Sequence, residues 1–385
     1  MRDFPELTGL RGLAALWVLI YHTWVVATPR IISIGSIDLT PFFSCGWAGV
    51  QIFFVLSGFL LGLPYALAHA GKGRRPEAIP FLTRRLARVF PAYYLQLGLL
   101  ILIYFCSGKA ELIPSPDSLW LHMLMLFTPP PVGTQPLVGV WWTLPVELSF
   151  YLVLPALSAL LAPGKIRYLC LLLIMIMPAW RHFAVITMAN APMNEKVTMA
   201  VQLPGAIDSF GMGLLAAWMH VEIVTKQRFA GVRRFVTARQ IPILASAIVL
   251  IALLYWQHYN YKKYWTDSFI FYGWTPLLNL SVATIILRTS LGDKKHGHIL
   301  AARPVVYLGT ISYGVYLWHF PVIDLLMEQP LFREAIFYRF PWLLIATLAI
   351  TIPIAACSWE WVEKRIILYS RRSQRVNNNS SKAAT

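Results

Sequence analysis

The chain has 385 residues, of which 57% are hydrophobic and only 13% charged, about half the charged share of an ordinary soluble domain. That excludes a soluble globule. The net charge of +16 sits in short basic clusters between apolar runs, not along one face, so membrane topology explains it better than nucleic-acid binding does.

Ten apolar runs are predicted to cross a membrane, at roughly 10–28, 46–68, 90–106, 139–161, 166–187, 204–221, 241–257, 270–288, 305–326 and 342–367, most of them close to the length a bilayer requires. The expected fold is therefore all-α: one polytopic transmembrane bundle over residues 1–370. Residues 371–385 form a polar tail expected to be disordered. With a cytoplasmic N-terminus, 25 of the 33 Lys and Arg fall on inner segments, which supports ten spans with both termini cytoplasmic. Cys45, Cys106, Cys170 and Cys357 lie in or beside apolar runs without C-x-x-C spacing. They read as packing residues, with neither a metal site nor a disulfide framework indicated.

Charges inside apolar runs are costly and mark candidate functional residues. The first run, LTGLRGLAALWVLIYH, carries Arg11 and His22. Eleven residues are close to three helical turns, about 16 Å along the axis, so both side chains face the same way. They line a path through the protein, or else they are an arginine snorkelling to the inner headgroups and a histidine at the outer interface. A charge within the run suits a retained helix better than a cleaved signal.

Arg85 and Arg88 precede Phe90-Pro91 and share a helical face, where their planar forks suit phosphate. The positive-inside pattern alone would also place basic residues there. Between 107 and 138, the apolar piece from Ser118 to Phe127 is too short to span, and is expected to lie in the interface or re-enter; Pro129, Pro130 and Pro131 follow it. In WWTLPVELSFY, Glu147 sits among apolar residues just after Pro145, and must pair, bind water or stay protonated. Asp208, in LPGAIDSFGMG, reads as a structural polar contact. In TISYGVYLWHFPV, residues Ser312, Tyr316 and His319 form one polar stripe, with Tyr313 and Trp318 directed elsewhere. The stripe lines a cavity or belongs to an aromatic belt.

Taken in order, these segments resemble the integral membrane acyltransferases of acyltransferase family 3. The first run fits the family's R-x10-H helix, FFVLSGFLL at 53–61 its S-G-F helix, and RRLARVFPAYY at 84–94 its R-x-x-R segment. WTLPVELSFY at 142–151 resembles the W-S-L-x-x-E segment, and ISYGVYLWHFP at 311–321 the late S-Y-x-x-Y-L-W-H helix.

The resemblance implies an enzyme of a bacterial cytoplasmic membrane. It would move an acyl group, commonly acetyl, from cytoplasmic acetyl-CoA to a hydroxyl of a sugar, surface polysaccharide, lipid-linked glycan or small molecule. His22 would be catalytic base or acyl relay, with Arg11 and Glu147 in the catalytic core. Arg85 and Arg88 would contact the CoA phosphates, and Ser57, Tyr313 and His319 the acceptor. No metal is implied. Two departures stand out. Leu148 replaces a second acid that many relatives carry, and the soluble SGNH-type domain of many relatives has no counterpart after the last helix. A partner domain is then expected to be a separate protein, or the helical domain finishes the reaction itself.

The rival class is a proton-coupled sugar or lipid transporter or flippase, which also uses buried Glu and His and would be favoured by discontinuous helices. CoA-dependent acyl transfer separates the two. A non-catalytic scaffold would leave Arg11, His22 and Glu147 without a role.

Overall fold

Apolar runs in lipid must satisfy every backbone group internally, so they fold as helices. The computed structural model describes residues 4–127, 134–238, 241–264, 269–292, 299–334 and 339–370. The proline triplet at 129–131, the 371–385 tail and the basic residues Arg2, Arg239, Lys294 and Lys295 lie outside the described residues.

Among the described residues, nine helices are long and apolar enough to cross a membrane. They are α1 (Pro5–Val26), α2 (Gly46–His69), α3 (Ala78–Cys106), α4 (Gly139–Leu161), α5 (Ile166–Thr187), α6 (Leu203–Lys226), α7 (Ile241–Tyr259), α8 (Phe269–Leu291) and, after a broken span, α11 (Arg339–Ser370). The run at 305–326 forms that broken span: α9 (Arg303–Thr310) and α10 (Ser312–Met327) meet at Ile311. Helix α3 begins at Ala78, well before the apolar run predicted from 90, because the arginine-rich turns continue the same helix. A π-helical stretch, Trp359–Glu363, widens α11 near its end.

Small residues set the packing. Helices α2 and α6 approach so closely that a Cβ on Gly58 would lie 2.0 Å from the Phe210 carbonyl oxygen, and one on Gly213 2.1 Å from that of Val55. Beside this seam Phe210 stacks on Phe54 and Phe150, with centroids 4.5 and 4.0 Å away. The break at Ile311 has a similar cause. A Cβ on Gly309 would fall 1.8 Å from the Thr8 carbonyl oxygen, so the end of α9 is pressed against α1, and Ser312 Oγ donates to Gly309 O at 2.9 Å across the break.

Hydrogen bonds tie together the loops that alternate crossing places on one side. His69 pairs with Ser158 O at 3.0 Å, and Arg75 Nη2 donates to Pro155 O at 3.0 Å. On the opposite side Tyr255 donates to Asp38 O at 2.5 Å, and Lys109 pairs with Glu328 at 2.5 Å. Asp38, in the exposed loop after α1, is held below the ordinary carboxylate range by hydrogen bonds from Thr40, with Tyr259 adding another. The Ser118 to Phe127 piece forms a helix at Pro116–Met123 and then turns inward. Met125 and Phe127 are buried, and Tyr93 donates to His122 O at 2.7 Å. Tyr93 lies about 20 Å of helix rise from the Cys106 end of α3, so the piece re-enters the bundle.

Candidate active site

The site occupies the centre of the bundle, where α1, α2, α4 and α10 converge. His22, near the outer end of α1, stands on the wall of a cavity of about 540 Å³. Its Nδ1 is 3.0 Å from Val18 O and 3.0 Å from His319 Nε2. His319 is fully buried, and its own Nδ1 is 3.1 Å from Val315 O. A consistent proton assignment follows. His319 Nδ1 carries a hydrogen to Val315 O, leaving Nε2 as acceptor; His22 Nδ1–H then serves Val18 O and His319. The second nitrogen of His22 is left as a lone-pair acceptor, and it makes no hydrogen bond among the described residues.

Arg11 and Glu147 line a narrower void of about 40 Å³, together with Tyr313 and Tyr316. No ion pair joins them among the described residues. Arg11 instead lies over the Phe53 ring at 5.8 Å, while Glu147 Oε1 accepts from Tyr151 and, at 3.4 Å, from Ser57. Val50 and Tyr316 wall both this void and the large cavity. Tyr316 is held by donation to Val140 O at 2.6 Å and by Thr143 Oγ1 at 2.9 Å. Gln96 fixes α3 against both neighbours, donating to Leu317 O at 2.6 Å and accepting from Trp141 Nε1 at 2.8 Å.

Toward the inner end, Arg84, Arg85 and Arg88 line a third void of about 90 Å³ with Ser370. Arg85 Nε is buried without an acceptor among the described residues, and Arg88 lies over the Trp359 ring at 6.0 Å. An orphaned guanidinium donor in an arginine-lined void suits a phosphate oxygen.

The sequence candidates thus fall into three adjoining places. Arg85 and Arg88 share the inner void, Arg11, Glu147 and Tyr313 the narrow one, and His22 the outer cavity. Ser57 lies behind Glu147, and His319 behind His22. Tyr313 donates to Val89 O at 2.9 Å, which commits its hydroxyl to α3. Asp208 is buried and accepts from Asn279 Nδ2 at 3.0 Å, a structural polar contact. Sequence reasoning passes over Arg181, Ser44 and His258, which also line the outer cavity. Ser44 Oγ lies 2.7 Å from His258 Nδ1. Arg181 carried a usable signal, a charge inside an apolar run; Ser44 and His258 sit at opposite chain regions and have none.

The sequence profile described as an acyltransferase domain matches residues 4–360. The chain is similar to the putative peptidoglycan O-acetyltransferase YrhL of Bacillus subtilis, 23% identical over 97% of this chain and 56% of that protein. It is 25% identical to the putative acetyltransferase ORF330 of Acidianus two-tailed virus, over 84% of this chain and 83% of that protein. With the peptidoglycan O-acetyltransferase OatA of Listeria monocytogenes it shares 24% identity over 94% of this chain and 55% of the relative. The chain therefore spans about half the length of YrhL and OatA. No solved structure matches it. The chain belongs to acyltransferase family 3 and is a multi-pass membrane protein.

Proposed function

We propose that this member of acyltransferase family 3 is an O-acyltransferase. It carries an acyl group, acetyl foremost, from cytoplasmic acyl-CoA to a sugar hydroxyl entering from the outer side of a bacterial cytoplasmic membrane. Residues 1–370 form the transferase unit. The observation that carries this reading is His22 on the wall of a 540 Å³ cavity, with its second nitrogen making no hydrogen bond among the described residues.

Phosphates of the donor rest on Arg85 and Arg88, and the thin pantetheine arm extends past Arg11 and Glu147 toward His22. His22 accepts the proton of the acceptor hydroxyl as that oxygen bonds to the thioester carbonyl carbon. The C–S bond then breaks, and the departing CoA thiolate takes the proton from His22. Such general base catalysis contributes about 10²- to 10⁴-fold. His319 acts through His22 as a positioning residue, holding the tautomer that leaves the second nitrogen basic. Arg11 and Glu147 supply charge along the path. The names of YrhL and OatA attach those relatives to peptidoglycan; for this chain the reading extends to a hydroxyl-bearing glycan.

The test is transfer of labelled acetyl from acetyl-CoA to glycan acceptors by the purified protein in nanodiscs. His22→Ala should lose about 100-fold or more of the rate while inserting and accumulating normally. His319→Ala should lower kcat and displace the pH profile, a change that a packing defect alone would not make. Near-normal turnover by His22→Ala would remove His22 from the mechanism. The break at Ile311 favours one second reading, a proton-coupled sugar or lipid transporter. Flux of a glycan across proteoliposomes without acyl-CoA, and no acyl transfer with it, would establish that reading instead.

A further inference from the structure

We infer that the outer cavity takes an acidic saccharide, whose carboxylate or phosphate oxyanion is held by Arg181. The inference rests on the reading of this cavity as the acceptor site and names the class of acceptor.

Arg181 sits on α5 within the bundle, only 5% exposed. Its partners are all neutral: Nε donates to Gly205 O at 3.1 Å, and Nη1 to Phe271 O at 2.6 Å and Thr275 Oγ1 at 3.1 Å. Those bonds aim the guanidinium without neutralising it. Among the described residues Arg181 makes no ion pair; the Tyr264 hydroxyl lies close enough to share a hydrogen bond with it, and the donors left over by the three bonds above are those of Nη2. Asp208 is close enough for the two charges to interact but lies beyond ion-pair range, and it accepts from Asn279.

A guanidinium buried at membrane depth is costly unless an anion joins it. The walls of the cavity agree with that demand. They include Arg30, Arg181 and His258, and no Asp or Glu among the described residues. Trp47, Trp142 and Tyr264 supply flat apolar faces for the C–H faces of sugar rings. A neutral glycan would use the aromatic walls but bring no counter-charge to the Nη2 end of Arg181. A carboxylate or phosphate oxygen accepts a charge-assisted hydrogen bond from Nη2 and brings the guanidinium its counter-charge.

The experiment is calorimetric titration of the full chain in detergent with three probes: a glucuronate-containing tetrasaccharide, the same tetrasaccharide after carboxyl reduction, and the reduced form carrying one phosphate. Wild type should bind at least one acidic probe ten-fold or more tighter than the neutral one, and which acidic probe wins identifies the oxyanion. Arg181→Gln should erase that preference, and Arg181→Lys should keep part of it, while acetyl-CoA binding confirms that both variants are folded. Equal affinity of wild type for all three probes, or no binding of any, overturns the inference without recourse to a variant. So does an acidic preference that survives in folded Arg181→Gln. The parallel acyl-transfer assay separates the two readings. Acidic binding without transfer defeats the enzyme reading alone, whereas equally fast transfer to the neutral probe defeats this inference alone.

Discussion

Arg85 and Arg88 owe their place to helical spacing, and their chemistry to what surrounds them. A lysine at either position keeps the charge that orients the membrane segment but loses the planar fork. In Arg85→Lys and Arg88→Lys, insertion should be intact and acetyl-CoA affinity should fall by about ten-fold, as expected for losing a charge-assisted bond worth roughly 1.5 kcal/mol. The double variant should be worse. Calorimetry with acetyl-CoA and with a dephosphorylated analogue checks it, because the arginine dependence should disappear along with the phosphates. At this scale the sequence was readable wherever a charge interrupts an apolar run: Arg11, His22 and Glu147 are all at the centre of the bundle. Arg181 obeys the same rule, yet the sequence reading passes over it. What was not readable is pairing between distant segments. Nothing in the sequence sets His22 Nδ1 against His319 Nε2, since that contact depends on how α1 and α10 pack.

Helix seams depend on absent side chains as much as on present ones. Gly213→Leu must push α6 away from the α2 backbone, and overpacking of this kind costs about 1–3 kcal/mol. A lower melting temperature in detergent is the expected outcome, with reduced transfer following from displacement of α2. The re-entrant segment carries a pH dependence. His122 is buried, with Nδ1 2.8 Å from Ser118 O and Nε2 accepting from Leu137 N at 3.0 Å, and burial lowers its pKa below the ordinary histidine value of 6.5. The unfolded segment therefore binds protons first as pH falls. Its stabilising contribution is complete above about pH 6.5 and declines below that value until the folded-state pKa is passed. Hydrogen exchange over 116–127 should accelerate between pH 7 and pH 5, and His122→Gln should flatten that dependence. Helix number was legible from apolar length, but the division at Ile311 was not. Gly309 and Gly314 flank it, but glycines also occur in unbroken spans here, and only the approach of Gly309 to Thr8 supplies the cause.

For the whole molecule, the alternation of tied loops fits ten crossings when α9 and α10 count as one. The orientation rests on basic residues, part of which lie outside the described segments. In a variant stripped of native cysteines, Gly73→Cys should react only with reagents that reach the cytoplasmic side. Labelling from outside intact cells would invert the assignment of donor and acceptor sides.

The narrow void between Arg11 and Tyr316 has an electrical consequence. Its 40 Å³ has room for only about three waters, at the roughly 10–15 Å³ that one water needs. The Tyr316 hydroxyl is already committed to Val140 and Thr143, so these walls must part for the pantetheine arm of the proposed donor and close again behind it. If donor and acceptor lie in different compartments, as proposed, the protein must still insulate them, because each proton that leaks inward spends membrane potential. Between turnovers, the waist of this bundle is its dielectric seal.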